Sequence, residues 1–218
     1  TILTTEKSGQ KEFTLEYGSE FAKHIEKYKP TFAKALIRYN PEDNNDSKVR
    51  QQVQLKVLSD YYHNHGYKFL LEVLIEPIES QLTQVSNDKE KYDQELRPKL
   101  AVSVIKELQN ANVEPDVWKL EGMDNVLDYD AIVKQAQSGE RHNVGIVVLG
   151  RGANQTQVEK WISVGAKVKG VIGFAVGRTV FWQPLIDYKS GTIQKDKVVE
   201  KIADNFKHFY NIFIANIA

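Results

Sequence analysis

Three ionisable side chains lie inside otherwise apolar, strand-like segments, where amine and carboxylate chemistry can be arranged. They are Lys34, Glu72 and Lys119. A charge buried without a partner is costly, so such residues are normally either paired or functional. A lysine amine in a pocket can attack a carbonyl carbon and form an iminium, and a neighbouring carboxylate can move the protons. The alternatives are three unrelated ion pairs, or for Lys119 a strand-end lysine whose amine reaches water.

Strand periodicity predicts where these side chains point. Alternate residues of a strand face opposite sides of a sheet, so Lys34 shares a face with Arg38, while the small apolar residues of that strand share the other face. Glu72 and Lys119 each lie on one face of their own strands. If these faces point into a barrel, the three charges converge at its catalytic end. Arg38 and the following Asn40 lie near the end of their strand, where we expect them to bind hydroxyl or carboxylate groups.

Two glycine-arginine turns follow the last two predicted strands. The first contains Arg151 and Gly152, and the second contains Gly177 and Arg178. Glycine exposes backbone N–H groups, a helix start attracts anions, and arginine can bind a phosphate with two hydrogen bonds. The turns therefore predict a phosphate site, with ordinary turns and surface arginines as the alternative. Neither turn has the length or the lysine of a nucleoside-triphosphate loop.

The elements that must position these residues alternate along the chain. Strands are predicted at 2–5, 32–40, 67–75, 116–122, 144–149 and 168–176, and helices at 15–28, 47–64, 87–111, 129–137, 156–164 and 195–217. This order is typical of a parallel sheet covered by helices. Two architectures are compatible with it: an open doubly wound sheet, which here lacks the glycine fingerprint of dinucleotide binding, and a (β/α)8 barrel without two of its units. In the second helix, Val49, Val53, Val57 and Tyr61 form one apolar stripe.

Composition narrows the class of protein. The chain has 218 residues, of which 41% are hydrophobic and 27% charged, and its 29 basic residues balance its 29 acidic ones. With no net charge, nothing favours nucleic acid or an anionic membrane as a partner. No apolar run approaches the roughly 18 residues of a membrane span, and no signal peptide is present, so a cytoplasmic location is the default expectation. The chain begins at Thr1 without an initiator methionine, which suggests a fragment of a longer protein.

Metal and thiol chemistry are not predicted. Cysteine is absent, which excludes disulfides, thiolate nucleophiles and zinc-thiolate sites. His24, His142 and His208 have no ligand spacing, so we predict no metal and no cofactor. His63 and His65 are better interpreted as a solvated helix end than as a nuclease site.

Four motifs appear together and in order, and they resemble one known family. They are AKALIRYNP at 33–41, LLEVL at 70–74, VWKLEG at 117–122 and GFAVGR at 173–178. They resemble the barrel domain fused behind the sugar kinase (5-dehydro-2-deoxygluconokinase) of bacterial myo-inositol catabolism, which is similar in turn to tagatose-bisphosphate class I aldolases. The resemblance covers nearly the whole chain and is most specific in the last two motifs.

The resemblance implies a class I aldolase. It assigns the Schiff-base lysine to Lys119, the proton-transfer glutamate to Glu72 and an assisting lysine to Lys34. It matches Gly152, Gly177 and Arg178 to the phosphate region. The implied substrate is a phosphorylated deoxy-keto-gluconate, which is cleaved to dihydroxyacetone phosphate and malonate semialdehyde.

The resemblance also implies what this chain lacks and what it binds. Family barrels have two further βα units before the position of Thr1, and an acidic active-site residue would lie there. Residues 1–218 are then one barrel domain containing strands three to eight. A fused or associated sugar kinase is the expected partner, and a homo-oligomer is compatible with the sequence. The rival function is non-catalytic: a phosphosugar sensor or a structural partner of the kinase, which would need the phosphate site but not the amine.

Overall fold

Six parallel strands form one sheet in which each strand pairs with its neighbours in the chain. A computed structural model describes residues 1–218. The strands are β1 Ile2–Thr4, β2 Phe32–Arg38, β3 Lys68–Leu74, β4 Val117–Glu121, β5 Gly145–Leu149 and β6 Val171–Ala175. A doubly wound sheet reverses its strand order, whereas this order runs without reversal, as in a barrel. The sheet is open, with β1 and β6 as its edges.

Helices connect successive strands, and two more follow β6. They are α1 Phe21–Tyr28, α2 Asn45–Asn64, α3 Glu79–Gln84, α4 Lys89–Lys91, α5 Arg97–Asn110, α6 Val126–Ala136, α7 Gln155–Ala166, α8 Arg178–Lys189 and α9 Lys195–Ala215. The parallel α/β architecture that the alternation predicts is thus confirmed. None of these helices is both long and apolar enough to cross a membrane.

Several helical regions can be compared with the sequence prediction. The sequence did not predict α3, and the helix predicted at 15–28 begins only at Phe21, after a 3-10 turn at Gly18–Glu20. The helix predicted at 87–111, with a kink or break at Pro98, is helical throughout Lys89–Asn110 as α4, a π-helical turn at Tyr92–Leu96 and α5. Pro98 lies in the first turn of α5, where the missing N–H of a proline is tolerated. The sequence did not predict α8, whose internal Pro184 argues against a helix, although the structure places one there.

The two faces of the sheet have different surroundings. In β2, Ala33, Ala35 and Ile37 are buried on the face that carries the helices. Lys34 and Arg38 alternate with them and point to the other face, as the periodicity predicts. The helix-covered face contributes to one continuous hydrophobic core, and the opposite face carries the charged side chains.

The apolar stripe of α2 was misleading. Val49, Val53 and Val57 are exposed, and α2 instead buries residues such as Leu55 and Leu58. The leucine side chains are longer and lie on the face that packs against the sheet, so tertiary packing decided which face is buried.

Candidate active site

Four charged side chains form a row across four neighbouring strands. Lys34 Nζ on β2 and Lys119 Nζ on β4 each lie 3.0 Å from Oε2 of Glu72 on β3. Lys34 Nζ also lies 2.7 Å from Oε1 of Glu6, which follows β1. The register explains the central contact, because Glu72 lies directly opposite Lys119 in the β3–β4 pair. The charges alternate in sign, so each lysine has at least one carboxylate partner.

Glu72 is the residue on which both lysines converge, and its side chain is only 8% exposed. Burial by itself raises the pKa of a carboxyl group, since it disfavours the charged form. Here the charges of Lys119 and Lys34, together with their hydrogen bonds, outweigh burial and hold the pKa of Glu72 below its ordinary value. Glu72 is therefore held in its charged, carboxylate form.

Lys119 faces a cavity of about 470 Å³ at the carboxyl end of the sheet. Glu72 and Lys119 line one side of this cavity, and the turns after β5 and β6 line the other. The structure thus brings the predicted amine and carboxylate into the same cavity as Gly152, Gly177 and Arg178. Elements that are distant in sequence meet here because the carboxyl ends of parallel strands lie at one edge of the sheet.

The far wall of the cavity has the features of an anion site. Gly177 caps α8, and Arg178 is its first residue, so unpaired N–H groups of the first helical turn lie at the cavity. The Arg178 side chain is exposed and has no ion-pair partner within the chain. Gly152 has a φ of +74°, and a Cβ there would overlap the Arg178 guanidinium. The close approach of Arg178 to this turn therefore requires glycine.

Arg151 lines the same cavity but is already bound to two carboxylates. Its Nε lies 2.6 Å from Glu121 Oε1, and its Nη1 lies 2.7 Å from Asp93 Oδ1. Burial raises the pKa of Glu121, which also accepts a hydrogen bond from the backbone N–H of Ile75. The sequence placed Arg151 with the phosphate ligands; in the structure its guanidinium instead joins the turn after β5 to the end of β4.

Arg38 and Asn40 lie apart from the cavity of Lys119. They line a separate cavity of about 580 Å³, where Arg38 Nε pairs with Glu76 at 3.0 Å. Asn40 is buried; its side-chain amide donates to the Glu76 carbonyl and to Gln81 Oε1, and its carbonyl oxygen accepts from the Gln81 amide. The Asn40 side chain therefore holds the loop after β2. Its hydrogen-bonding groups are already used, so none is open to bind the hydroxyl or carboxylate group that the sequence predicted.

A comparison with protein families decides the identity of the chain. The family described as "Uncharacterized protein conserved in bacteria (DUF2090)" matches residues 3–216. The chain belongs to this family. Among curated proteins, no sequence matches this DUF2090 chain.

Solved structures resemble the fold of the DUF2090 chain. A crystal structure of an archaeal fructose 1,6-bisphosphate aldolase superposes with a TM-score of 0.60 at 13% identity, over 97% of this chain and 70% of that one. The fructose-bisphosphate aldolase from Slackia heliotrinireducens DSM 20476 gives 0.56 at 9% identity, over 93% of this chain and 65% of that one. At these identities the likeness is one of fold, and it matches the DUF2090 chain to aldolase barrels.

Sequence reasoning missed Glu6 in the DUF2090 chain. Its signal is weak, because β1 is short and Glu6 lies two residues beyond its last residue, Thr4. Continuing the alternation of Ile2 and Thr4 would have placed Glu6 on the face that carries Lys34. No three His, Asp or Glu side chains come together in a group that could hold a metal ion.

Proposed function

We propose that this DUF2090 chain has class I aldolase chemistry, in which Lys119 forms a Schiff base with the ketone of a phosphorylated substrate. One observation carries the proposal. A nearly buried lysine amine contacts a carboxylate at 3.0 Å and shares a cavity with an unpaired arginine at a helix start. A cavity with an amine at one side and an anion site at the other fits a ketone that carries a phosphate.

The residues fit each step of a retro-aldol cleavage. The Lys119 amine adds to the ketone carbon, and loss of the ketone oxygen as water leaves an iminium. Glu72 then takes the proton of the hydroxyl on the second carbon from the iminium carbon, the bond between that second carbon and the first breaks, and its electron pair moves into the iminium to give an enamine. The hydroxyl carbon leaves as an aldehyde. Protonation and hydrolysis of the enamine release the ketone product and regenerate Lys119.

Glu72 is the proposed proton carrier, and Lys34 assists it. Glu72 lies close enough to accept the proton that Lys119 must lose before it attacks, and it can return a proton when water leaves. Lys34 contacts the same carboxylate oxygen and stabilises its charge. Arg178, with the backbone around Gly152 and Gly177, holds the phosphate away from the reacting carbons.

The substrate and partner follow from the family resemblance and remain proposals. The expected substrate is a phosphorylated deoxy-keto-gluconate that is cleaved to dihydroxyacetone phosphate and malonate semialdehyde. An associated sugar kinase would supply such a phosphorylated compound.

Borohydride trapping tests the proposal, because borohydride reduces an iminium to a stable amine. Incubation of the protein with dihydroxyacetone phosphate and borohydride should add one ligand mass, and peptide mapping should place it on Lys119. Lys119→Ala should abolish this labelling. A matched control is Lys68→Ala, because Lys68 also lies on a strand and pairs with a carboxylate, Asp116, but at the opposite end of the sheet. Lys68→Ala should be labelled like the unchanged chain.

The possible results separate enzyme from binder. Phosphate binding without labelling would favour the non-catalytic phosphosugar sensor. Labelling at Lys34 instead of Lys119 would keep the aldolase class but overturn the choice of nucleophile.

A further inference from the structure

Glu6 is the outermost member of the charged row, and the reaction proposed above gives it no role. It follows the edge strand β1, and its Oε1 lies 2.7 Å from Lys34 Nζ. Lys34 is therefore shared between two carboxylates, Glu6 on one side and Glu72 on the other. The side chains of Glu6 and Lys34 are each 12% exposed, so solvent screens this contact only weakly.

Charge balance shows what Glu6 does for its neighbours. With Glu6 present, two ammonium groups face two carboxylates. Without it, Lys34 would have Glu72 as its single anionic partner, and two lysines would compete for one carboxylate. Since Lys34 and Lys119 contact the same Oε2 of Glu72, a tighter contact with Lys34 would draw that oxygen from Lys119.

We propose that Glu6 is a positioning residue for the aldolase reaction: by holding Lys34, it leaves Glu72 able to exchange protons with Lys119. This inference depends on the proposed function. Glu6 touches neither the cavity of Lys119 nor Glu72 itself, so it acts through Lys34 and is not a catalytic residue.

Two observations argue that Glu6 is not simply a structural ion-pair partner. Its second oxygen, Oε2, is buried and accepts no hydrogen bond, which is an unfavourable arrangement for a carboxylate. The attachment of the chain after β1 to β2 does not require its charge, because the N–H and hydroxyl of Thr5 both donate to the Lys34 carbonyl.

The test compares Glu6→Gln with the unchanged chain. Turnover should fall roughly 10- to 100-fold, the scale expected when a catalytic group is misplaced by about 1 Å. The KM for the phosphorylated ketose and the final extent of Lys119 labelling should stay unchanged, because neither the phosphate site nor the amine is altered. Glu6→Asp should recover part of the turnover because it keeps the charge.

Asp130→Asn is the matched control. Asp130 pairs with Lys134 at 2.7 Å, the same distance as the Glu6–Lys34 pair, but on the exposed surface of α6. The substitution also replaces one carboxylate by an amide, and turnover should not change.

The double variant Glu6→Gln with Lys34→Gln tests whether Glu6 acts through Lys34. It removes both charges of this ion pair, so neither is left without its partner. In a chain that already carries Lys34→Gln, adding Glu6→Gln should cost no further turnover, because the partner through which Glu6 acts is gone. A further loss in that background would overturn the inference.

The remaining outcomes distinguish this inference from the proposed function. Equal turnover of Glu6→Gln and the unchanged chain, with Lys119 labelled in both, overturns the inference alone. Absence of labelling in the unchanged chain overturns the proposed function and the inference with it.

Discussion

At the scale of single residues, Glu72 determines the electrostatics of the site. One carboxylate oxygen of Glu72 contacts the ammonium groups of both Lys34 and Lys119, so both ion pairs depend on the ionisation of Glu72. Removing one partner from a buried ion pair is usually more costly than removing both, since the remaining charge is left without compensation. The contact with Lys119 on which the proposed proton transfer depends therefore also links Glu72 to stability.

The first prediction concerns pH and Glu72. Its pKa in the folded chain lies below the ordinary value of 4.5. A depressed pKa contributes stability that is present above the ordinary pKa and is lost as the pH falls through the depressed one. Urea unfolding between about pH 6 and about pH 3 should therefore show a falling free energy of unfolding. The fall should be smaller in Glu72→Gln, and equal slopes in both proteins would contradict the prediction.

The second prediction concerns Arg178. Because this guanidinium is unpaired at the cavity wall, we expect Arg178→Ala to weaken binding of dihydroxyacetone phosphate by about 1.5–3 kcal/mol, the range for a charged hydrogen bond. Calorimetry measures the change. Arg141→Ala is the control, because Arg141 pairs with Glu114 just before β4, away from the cavity. Unchanged affinity in Arg178→Ala would remove this residue from the site.

At the scale of elements, a network of ion pairs around Arg151 holds the turn after β5 in place. Arg151 has a φ of +50° and bridges Glu121, at the end of β4, to Asp93 in the π-helical turn. Arg97 also pairs with Asp93 and donates to the Gly122 carbonyl. This network fixes the position of Gly152, and through Gly152 the space that Arg178 occupies. Arg151 can thus support the proposed anion site by holding this turn, without itself donating a hydrogen bond to the anion.

The third prediction separates the backbone strain of an alanine at position 152 from the close approach of Gly152 and Arg178. Gly152→Ala should destabilise the fold by roughly 1–2 kcal/mol, because alanine disfavours a left-handed backbone. It should also weaken phosphate-ligand binding by displacing Arg178. Gly191→Ala is the matched control, since Gly191 has a φ of +76° and open space around its Cβ position. The control should lose similar stability, measured by urea unfolding, and keep its affinity. Equal affinities in the two variants would refute the contact.

At the scale of the whole molecule, the two ends of the sheet carry different cavities. The cavity of Glu72, Lys119 and Arg178 lies toward the carboxyl ends of β3 to β6, whereas the amino ends surround a separate cavity of about 340 Å³ near Phe32 and Asp116. In barrels the carboxyl end is the catalytic end and the amino end serves stability.

The fourth prediction follows from this asymmetry. Dihydroxyacetone phosphate at a hundred times its Kd should raise the free energy of unfolding by about 2.7 kcal/mol. In hydrogen exchange, the added local protection should appear at the turns after β5 and β6 and at the start of α8. The amino-end segments around Phe32 and Asp116 serve as the internal control. Protection confined to those segments would place the ligand at the wrong end of the sheet.

Local patterns in the sequence determined the alternation of strands and helices and the face on which each charge lies. Lys34, Glu72 and Lys119 could be placed on one side of the sheet because side-chain direction alternates along every strand. The glycine-arginine turns after β5 and β6 could also be placed, since glycine and arginine have local meanings there, and phosphate binding at these turns stays a prediction. The unreversed strand order, by contrast, required pairing between strands and so came from the structure.

Only the tertiary structure decided which partner each charge has. Glu6 joined the charged row, Arg151 was bound to Glu121 and Asp93, and Asn40 was satisfied by Gln81. The physical reason is the same in each case. A strand's periodicity sets the direction of a side chain, but the energy of a charge or an amide depends on groups that come close only when distant segments pack together.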